Sequence, residues 1–117
     1  MNWHFIENPE DWNLAKNHSD QKAIAVFKHS TRCSVSLMAK RKLEAEWAFD
    51  ETLVKPYFLD LIRFRELSNR IADETGVHHE SPQLIVLKGD EVLYHASHYS
   101  IDVDEMGRSL NRTYKEE

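Results

Sequence analysis

The sequence predicts an α/β domain with a central mixed sheet flanked by helices, its elements in the order βαβαβαββα. Apolar runs of strand length at residues 22–30 and 56–64 alternate with segments whose apolar residues recur at helical spacing. Residues 81–96, SPQLIVLKGDEVLYHA, read as two strands joined by a tight turn at Gly89-Asp90. The 117 residues, 41% hydrophobic and 30% charged, fit a single domain (1–117) able to build a core without disulfides or metal.

Each element has a local reason. Residues 3–6 are short and suit an edge strand. Asn8 can cap the helix that follows, with Pro9 at its first position and Glu10 and Asp11 in its first turn, and that helix should run to about Asn17. KAIAVFKHS (22–30) is almost continuously apolar, as a strand buried on both faces should be. From Ser34 the period turns helical: Val35, Ala39, Leu43 and Trp47 recur every four residues with Met38 beside them, and Lys40, Arg41 and Lys42 fall largely away from that stripe. PYFLDLIRF (56–64) is a second central strand candidate. RELSNRIADETGV (65–77) is a helix with Leu67 and Ile71 inward and Gly76 as C-cap. Asp102 and Glu105 form a capping box for a last helix, whose stripe is Val103, Met106, Leu110 and Tyr114 and whose charged end, KEE, should fray. Trp3, Trp12 and Trp47 sit among apolar positions and read as core or rim packing. A βαβ half, a connecting helix, a hairpin and a closing helix together make the thioredoxin-like arrangement, parallel in its first half and antiparallel in the hairpin.

Composition excludes several functions. The net charge of −5, with both signs interspersed, gives no electrostatic basis for binding nucleic acid. No apolar stretch approaches the roughly 20 residues that span a bilayer, so no membrane partner is expected. MNWHFIENPEDW lacks the basic and apolar segments of a secretion signal, and one cysteine cannot close an internal disulfide, so a cytoplasmic location is expected. No phosphate loop, paired-carboxylate site or Ser-His-Asp set can be argued, and no tightly bound cofactor is expected. Adjacent His78 and His79, and His95 and His98 three apart, lack the ligand set of a structural zinc site.

The chemistry gathers at VFKHSTRCSVSLMAK (26–40), which holds the single cysteine, Cys33. Cys33 falls where a central strand ends and a helix begins, the place where reactive groups collect in open α/β sheets. Unpaired N–H groups of the first turn, and the helix dipole, favour a thiolate there. Arg32 is next door and Lys28 further off; Ser36, one turn into the helix, could donate to the sulfur. An inert buried thiol is the competing reading, and the polar neighbours Arg32, Ser34 and Ser36 argue against it. His29, four residues earlier, suits a structural hydrogen bond to backbone. In the thioredoxin-like arrangement the proline opening the hairpin, Pro82, is cis, lies against the reactive cysteine, and follows a residue, Ser81, whose backbone pairs with an extended substrate.

FKHSTRCSVS, then HESPQ (79–83), then SHYSI (97–101), resemble the monothiol bacilliredoxins, the YtxJ-type proteins of the bacillithiol system, over nearly the whole chain. The chain departs from them directly after the cysteine, where the family has proline and this sequence has Ser34. The resemblance implies a one-thiol exchange protein, with Cys33 as nucleophile and Ser36 in the resolving position. Arg32, Ser34, Ser81 and Pro82 would contact substrate. A small thiol, bacillithiol or similar, would be co-substrate, S-thiolated cytosolic proteins the partners, and the second small-thiol molecule or a reductase the means of release. Bacillithiol's malate gives Lys28 and Arg32 carboxylates to attract, although ordinary surface charge explains both equally well. Two other classes stay open: an iron–sulfur carrier of the monothiol-glutaredoxin kind, and a redox-inactive adaptor.

Overall fold

In the computed structural model the strands β1 (His4–Phe5), β2 (Ala23–His29), β3 (Val54–Asp60), β4 (Gln83–Lys88) and β5 (Glu91–Ser97) form one sheet in the order β1-β3-β2-β4-β5. β1, β3 and β2 are parallel; β4 and β5 run antiparallel to β2 and to each other. The helices are α1 (Pro9–Ser19), α2 (Ser34–Glu46), α3 (Arg65–Thr75) and α4 (Val103–Glu116), and a 3-10 turn spans His98–Ser100. The structure describes the backbone of residues 1–116 and the side chains of residues 1–111, so Tyr114 and the charged end at 115–117 lie outside the described side chains.

The expected α/β order is the observed one, and the local signals act as read. Asn8 Oδ1 accepts the Asp11 N–H at 2.8 Å, and Asp11 Oδ2 accepts the Glu7 N–H at 3.0 Å, closing the start of α1. Gly76 ends α3 at φ 75° and Gly89 turns the hairpin at φ 60°, left-handed values that glycine adopts without Cβ strain. Asp102 Oδ1 accepts the Glu105 N–H at 3.1 Å at the start of α4. Every residue of β2 is buried, as befits the middle strand.

Some boundaries differ from expectation: β1 is only His4–Phe5, α1 runs on to Ser19, and β2 is one residue shorter at each end. β3 begins two residues earlier than the apolar run and stops at Asp60, because Asp60 Oδ1 accepts the N–H groups of Ile62 (3.1 Å) and Arg63 (3.3 Å) and turns the chain out of the sheet. Leu61 is buried, and its N–H still donates to His29 O at 3.0 Å just past the last paired residues of β2 and β3. Pro56 is tolerated because β1 pairs only with Tyr57 and Phe58. In α2 the buried positions are Ser36, Ala39 and Leu43; Val35 and Trp47 are half-buried, and Met38 is 59% exposed. The stripe is narrower than its spacing suggested, since α2 rests on the sheet along only one edge.

The sheet divides the core in two. Alternate residues of β2, Ile24 and Val26, meet Trp12 and Ala15 of α1 and Leu67 and Ile71 of α3. The intervening Ala23, Ala25 and Phe27 meet Ala39 and Leu43 of α2 and Met106 and Leu110 of α4. A polar clasp ties α1 to α3: Glu74 accepts from Trp12 Nε1 at 3.3 Å, from Arg70 Nε at 2.5 Å and from Lys16. The Lys16 ammonium in first place holds the Glu74 carboxyl at about 2. Trp3 stacks on Phe27 at 5.7 Å, and Trp47 packs edge-on to Phe49 at 5.1 Å, so the tryptophans do pack the core and its rim.

Leu43 is fully buried between α2 and the sheet. Leu43→Ala should lower the unfolding free energy by about 2–5 kcal/mol in urea titration, with Cys33 alkylation unchanged well below the transition.

Candidate active site

The site is built from the end of β2. The chain leaves the sheet at His29, turns through residues 30–32, and enters α2 with Cys33 as N-cap in an extended conformation (φ −116°, ψ 121°). The Cys33 N–H donates to Ser30 O at 3.2 Å, and Cys33 O accepts the Leu37 N–H at 3.1 Å, so the backbone on both sides is fixed. The thiol is free and half-buried; Arg32 and Ser34 on either side of it are exposed. The first turn of α2 holds no acidic residue, whereas α1, α3 and α4 carry Glu10 and Asp11, Glu66, and Asp104 and Glu105 there. In those helices a carboxylate answers the positive end of the dipole; at α2 no carboxylate does, and Cys33 is the residue that stands at that end. The lack of Asp or Glu at residues 34–37 is visible in the sequence itself.

Ser36 sits differently from the expectation that its hydroxyl donates to Cys33. It is fully buried, its Oγ accepts the Ser30 N–H at 3.0 Å, and it lies 2.7 Å from His29 Nδ1. His29 is itself buried, which together with Lys40 lowers its pKa and keeps the ring neutral. Its partner is therefore the Ser36 hydroxyl and not backbone. Ser36 bolts the turn before Cys33 to the first turn of α2. Its proton points to His29 in one tautomer of the ring and is released from that bond in the other.

Lys28 is the larger correction. It is neither surface charge nor an anchor for an anion: its side chain is fully buried on the α3 side of the sheet, with Nζ donating to Ser68 O at 3.0 Å and 3.5 Å from His79 Nδ1. His79 Nδ1 is also 3.1 Å from Ser68 Oγ. Burial brings Lys28 down to about 8 and, with the Lys28 charge second, lowers His79 as well.

Pairing of β2 with β4 sets Lys28 opposite Gln83. Ser81 and Pro82, which precede Gln83, therefore stand at the end of the sheet from which the Cys33 turn departs. The Ser81–Pro82 peptide is cis, as expected, and Pro82 O accepts the His98 N–H at 2.9 Å. Along α2 a largely apolar hollow of about 180 Å³ is lined by Val35, Met38, Ala39, Tyr99 and Ile101 together with Lys42 and His98, Tyr99 being 77% exposed. Among the described residues no three of His, Cys, Asp or Glu are grouped to hold a metal ion, and no helix is long and apolar enough to cross a membrane.

A mixed five-stranded sheet, a lone cysteine capping the helix after its middle strand, and a cis-proline opening the neighbouring strand define a thioredoxin-fold protein. Solved structures agree on the fold. A protein described as having a thioredoxin fold superposes with a TM-score of 0.76 at 24% identity, covering 90% of each chain. Chloroplastic thioredoxin z gives 0.73 at 18% identity over 98% of this chain and 96% of its own. A thioredoxin from Nicotiana alata gives 0.68 at 20% identity over 92% and 89%. Residues 4–106 match the family model of monothiol bacilliredoxin BrxC, and the chain belongs to that family.

Ser36→Ala removes both hydrogen bonds from a buried site and should cost about 1–3 kcal/mol of stability. Amide hydrogen exchange should be faster at Ser30 and Cys33 while α3 is unaffected; uniform exchange across the chain would contradict the bolt. Lys28 gives a signed pH effect. Its folded value, about 8, lies below the unfolded 10.5, so the unfolded chain holds more proton between them and stability rises with pH across that window. Wild type should therefore gain stability relative to Lys28→Met between pH 8 and 10.5, measured by denaturant unfolding at each pH; a constant difference would exclude a buried Lys28.

Proposed function

We propose that this chain exchanges disulfides through one thiol, removing a small thiol such as bacillithiol from mixed disulfides on cytosolic proteins. The observation that carries it is the pairing of Cys33, half-exposed at a helix end free of acidic side chains, with Ser36, a buried hydroxyl in the position where a second thiol would resolve the adduct. The chain is thus a thiol redox protein by family and fold, with a single nucleophile.

The step balances without an external oxidant. The Cys33 thiolate attacks the small-thiol sulfur of the mixed disulfide, the Cys33–small-thiol disulfide forms, and the substrate protein leaves as thiolate. A second small-thiol thiolate, or a reductase, then attacks the adduct and restores Cys33. No internal disulfide can form, so each turnover needs that outside thiol. Arg32 and Ser34, exposed beside the sulfur, meet the adduct first, and Ser34 supplies a backbone N–H where the family's proline has none. Ser81 and Pro82 offer the backbone edge against which an extended substrate lies, and the apolar hollow beside Val35 and Tyr99 gives that substrate a surface to cover.

Intact mass after mixing with a protein thiolated by bacillithiol should show one small-thiol adduct on this chain and a free thiol on the substrate. Cys33→Ser should take no adduct. If bacillithiol- and glutathione-modified proteins both leave Cys33 unmodified within hours, the proposal fails. Reconstitution with iron and sulfide should give no colour that depends on Cys33; a brown Cys33-dependent dimer would favour the carrier reading instead.

A further inference from the structure

A second concavity, about 480 Å³, opens between the 76–82 loop and the end of β5, and the exchange chemistry makes no use of it. Its polar walls are Glu80, Gln83, Glu105 and the rings of His78, His95 and His98; none of the residues lining it is Lys or Arg. Gln83 is the telling residue. It is 1% exposed, and its Nε2 donates to His78 O at 2.8 Å, which fixes the orientation of the amide. Its Oε1 is left buried with no hydrogen-bond partner in the protein. Turning the amide over would set oxygen against the His78 carbonyl, so the acceptor stays unmatched until a donor arrives from outside.

The other groups point to the same kind of visitor. Glu80 is exposed, and the Ser97 hydroxyl donating to it lowers its pKa, so it remains a carboxylate. Glu105 lies exposed across the opening, at the start of α4. Tyr94 offers nothing further, since its hydroxyl accepts the Asp102 N–H at 3.0 Å and reaches Ser100 O at 3.4 Å. Val77 and Ala96 supply an apolar stretch suited to a methylene stem. Two carboxylates, a buried carbonyl acceptor and an apolar wall fit a long side chain ending in a cationic donor.

The cleft adjoins the cis-proline loop. Glu80 adjoins Ser81 in sequence, and His98 both lines the cleft and donates its N–H to Pro82 O. A substrate extended past Ser81–Pro82, advancing about 3.3 Å per residue, reaches this opening within a few residues of its cysteine.

We infer that the cleft is a subsite for an arginine or lysine side chain of the S-thiolated protein, with Gln83 Oε1, Glu80 and Glu105 as its acceptors. The identity of the occupant rests on the exchange reading above; the unmatched acceptor does not. The cleft selects proteins whose modified cysteine has a basic residue nearby.

The test uses the full chain and octapeptides carrying one glutathionylated cysteine. Arginine is placed one, two or three residues to either side, and each peptide is paired with its citrulline twin, which keeps the shape and removes the charge. Single-turnover transfer to Cys33 should be about tenfold faster in kcat/KM for arginine over citrulline at one or two of these positions, consistent with a charge-assisted contact. Glu105→Gln and Glu80→Gln should reduce that preference to near unity. Equal rates for every pair, or a preference that survives both substitutions, would overturn the inference. The ¹⁵N spectrum of Cys33→Ser, titrated with the same peptides carrying serine for cysteine, separates the two proposals. If neither these peptides nor their bacillithiol-modified counterparts transfer an adduct, the exchange reading fails, and the subsite is then judged by whether Gln83 side-chain shifts require arginine over citrulline.

Discussion

The antiparallel ladder between β2 and β4 is the contact on which the rest depends. Ile24 to Lys28 pair with Leu87 to Gln83, which places the exit of β2 beside the entry of β4. That register brings Cys33, at the end of one strand's turn, and Ser81–Pro82, just before the other strand, to one rim of the sheet. A slip of β2 by one residue would turn Phe27 onto the α1–α3 side, away from Leu84, and put Lys28 against α2. The burial of every β2 side chain therefore fixes the site as firmly as it fixes the fold.

The same rim carries an unusual load of buried polarity. Lys28, His29, Ser36, Ser68 and Gln83 are all buried, and four of them find partners among one another or on nearby backbone. Gln83 satisfies its amide nitrogen but not its oxygen. Groups of this kind in a core of Leu, Ile and Val lose hydration that apolar residues of like size would not lose. They gather under the Cys33 turn and the 76–82 loop. Stability has been given up locally where the geometry of two loops has to be held.

What could be read from the sequence follows from how local each signal is. Asn8, Gly76, Gly89 and Asp102 act within four residues of themselves, and each does what its type and position imply. Cys33 was legible because a strand, a polar turn and a helical period meet at it. Lys28 was not: it occupies an inward position of an apolar strand, and its charge alone implies the opposite placement. Only the partners from Ser68 and His79, 40 and 51 residues away, make its burial tolerable. Met38 failed in the opposite sense, since spacing cannot say how wide a helix's contact with a sheet is. The Asp60 turn that ends β3 is hidden in the sequence by the apolar residues after it, Leu61 and Ile62, which prolong the apolar run but not the strand.

Ser36 bears on how a one-thiol site is to be understood. A serine in the resolving position could be a remnant, a thiol lost from a two-cysteine site. Its surroundings argue otherwise. The Ser36 oxygen accepts the Ser30 N–H and bonds the buried His29 ring, so the turn that presents Cys33 is closed by this hydroxyl. Sulfur is a weak acceptor and a weak donor, with longer bonds than oxygen makes, and a thiol there would leave the Ser30 N–H and the His29 nitrogen poorly satisfied. Restoring a second cysteine would supply a resolving group only by loosening the turn that holds the first. In this chain the hydroxyl is part of the architecture that positions the single thiol, and dependence on an outside thiol for release follows from the way the site is built.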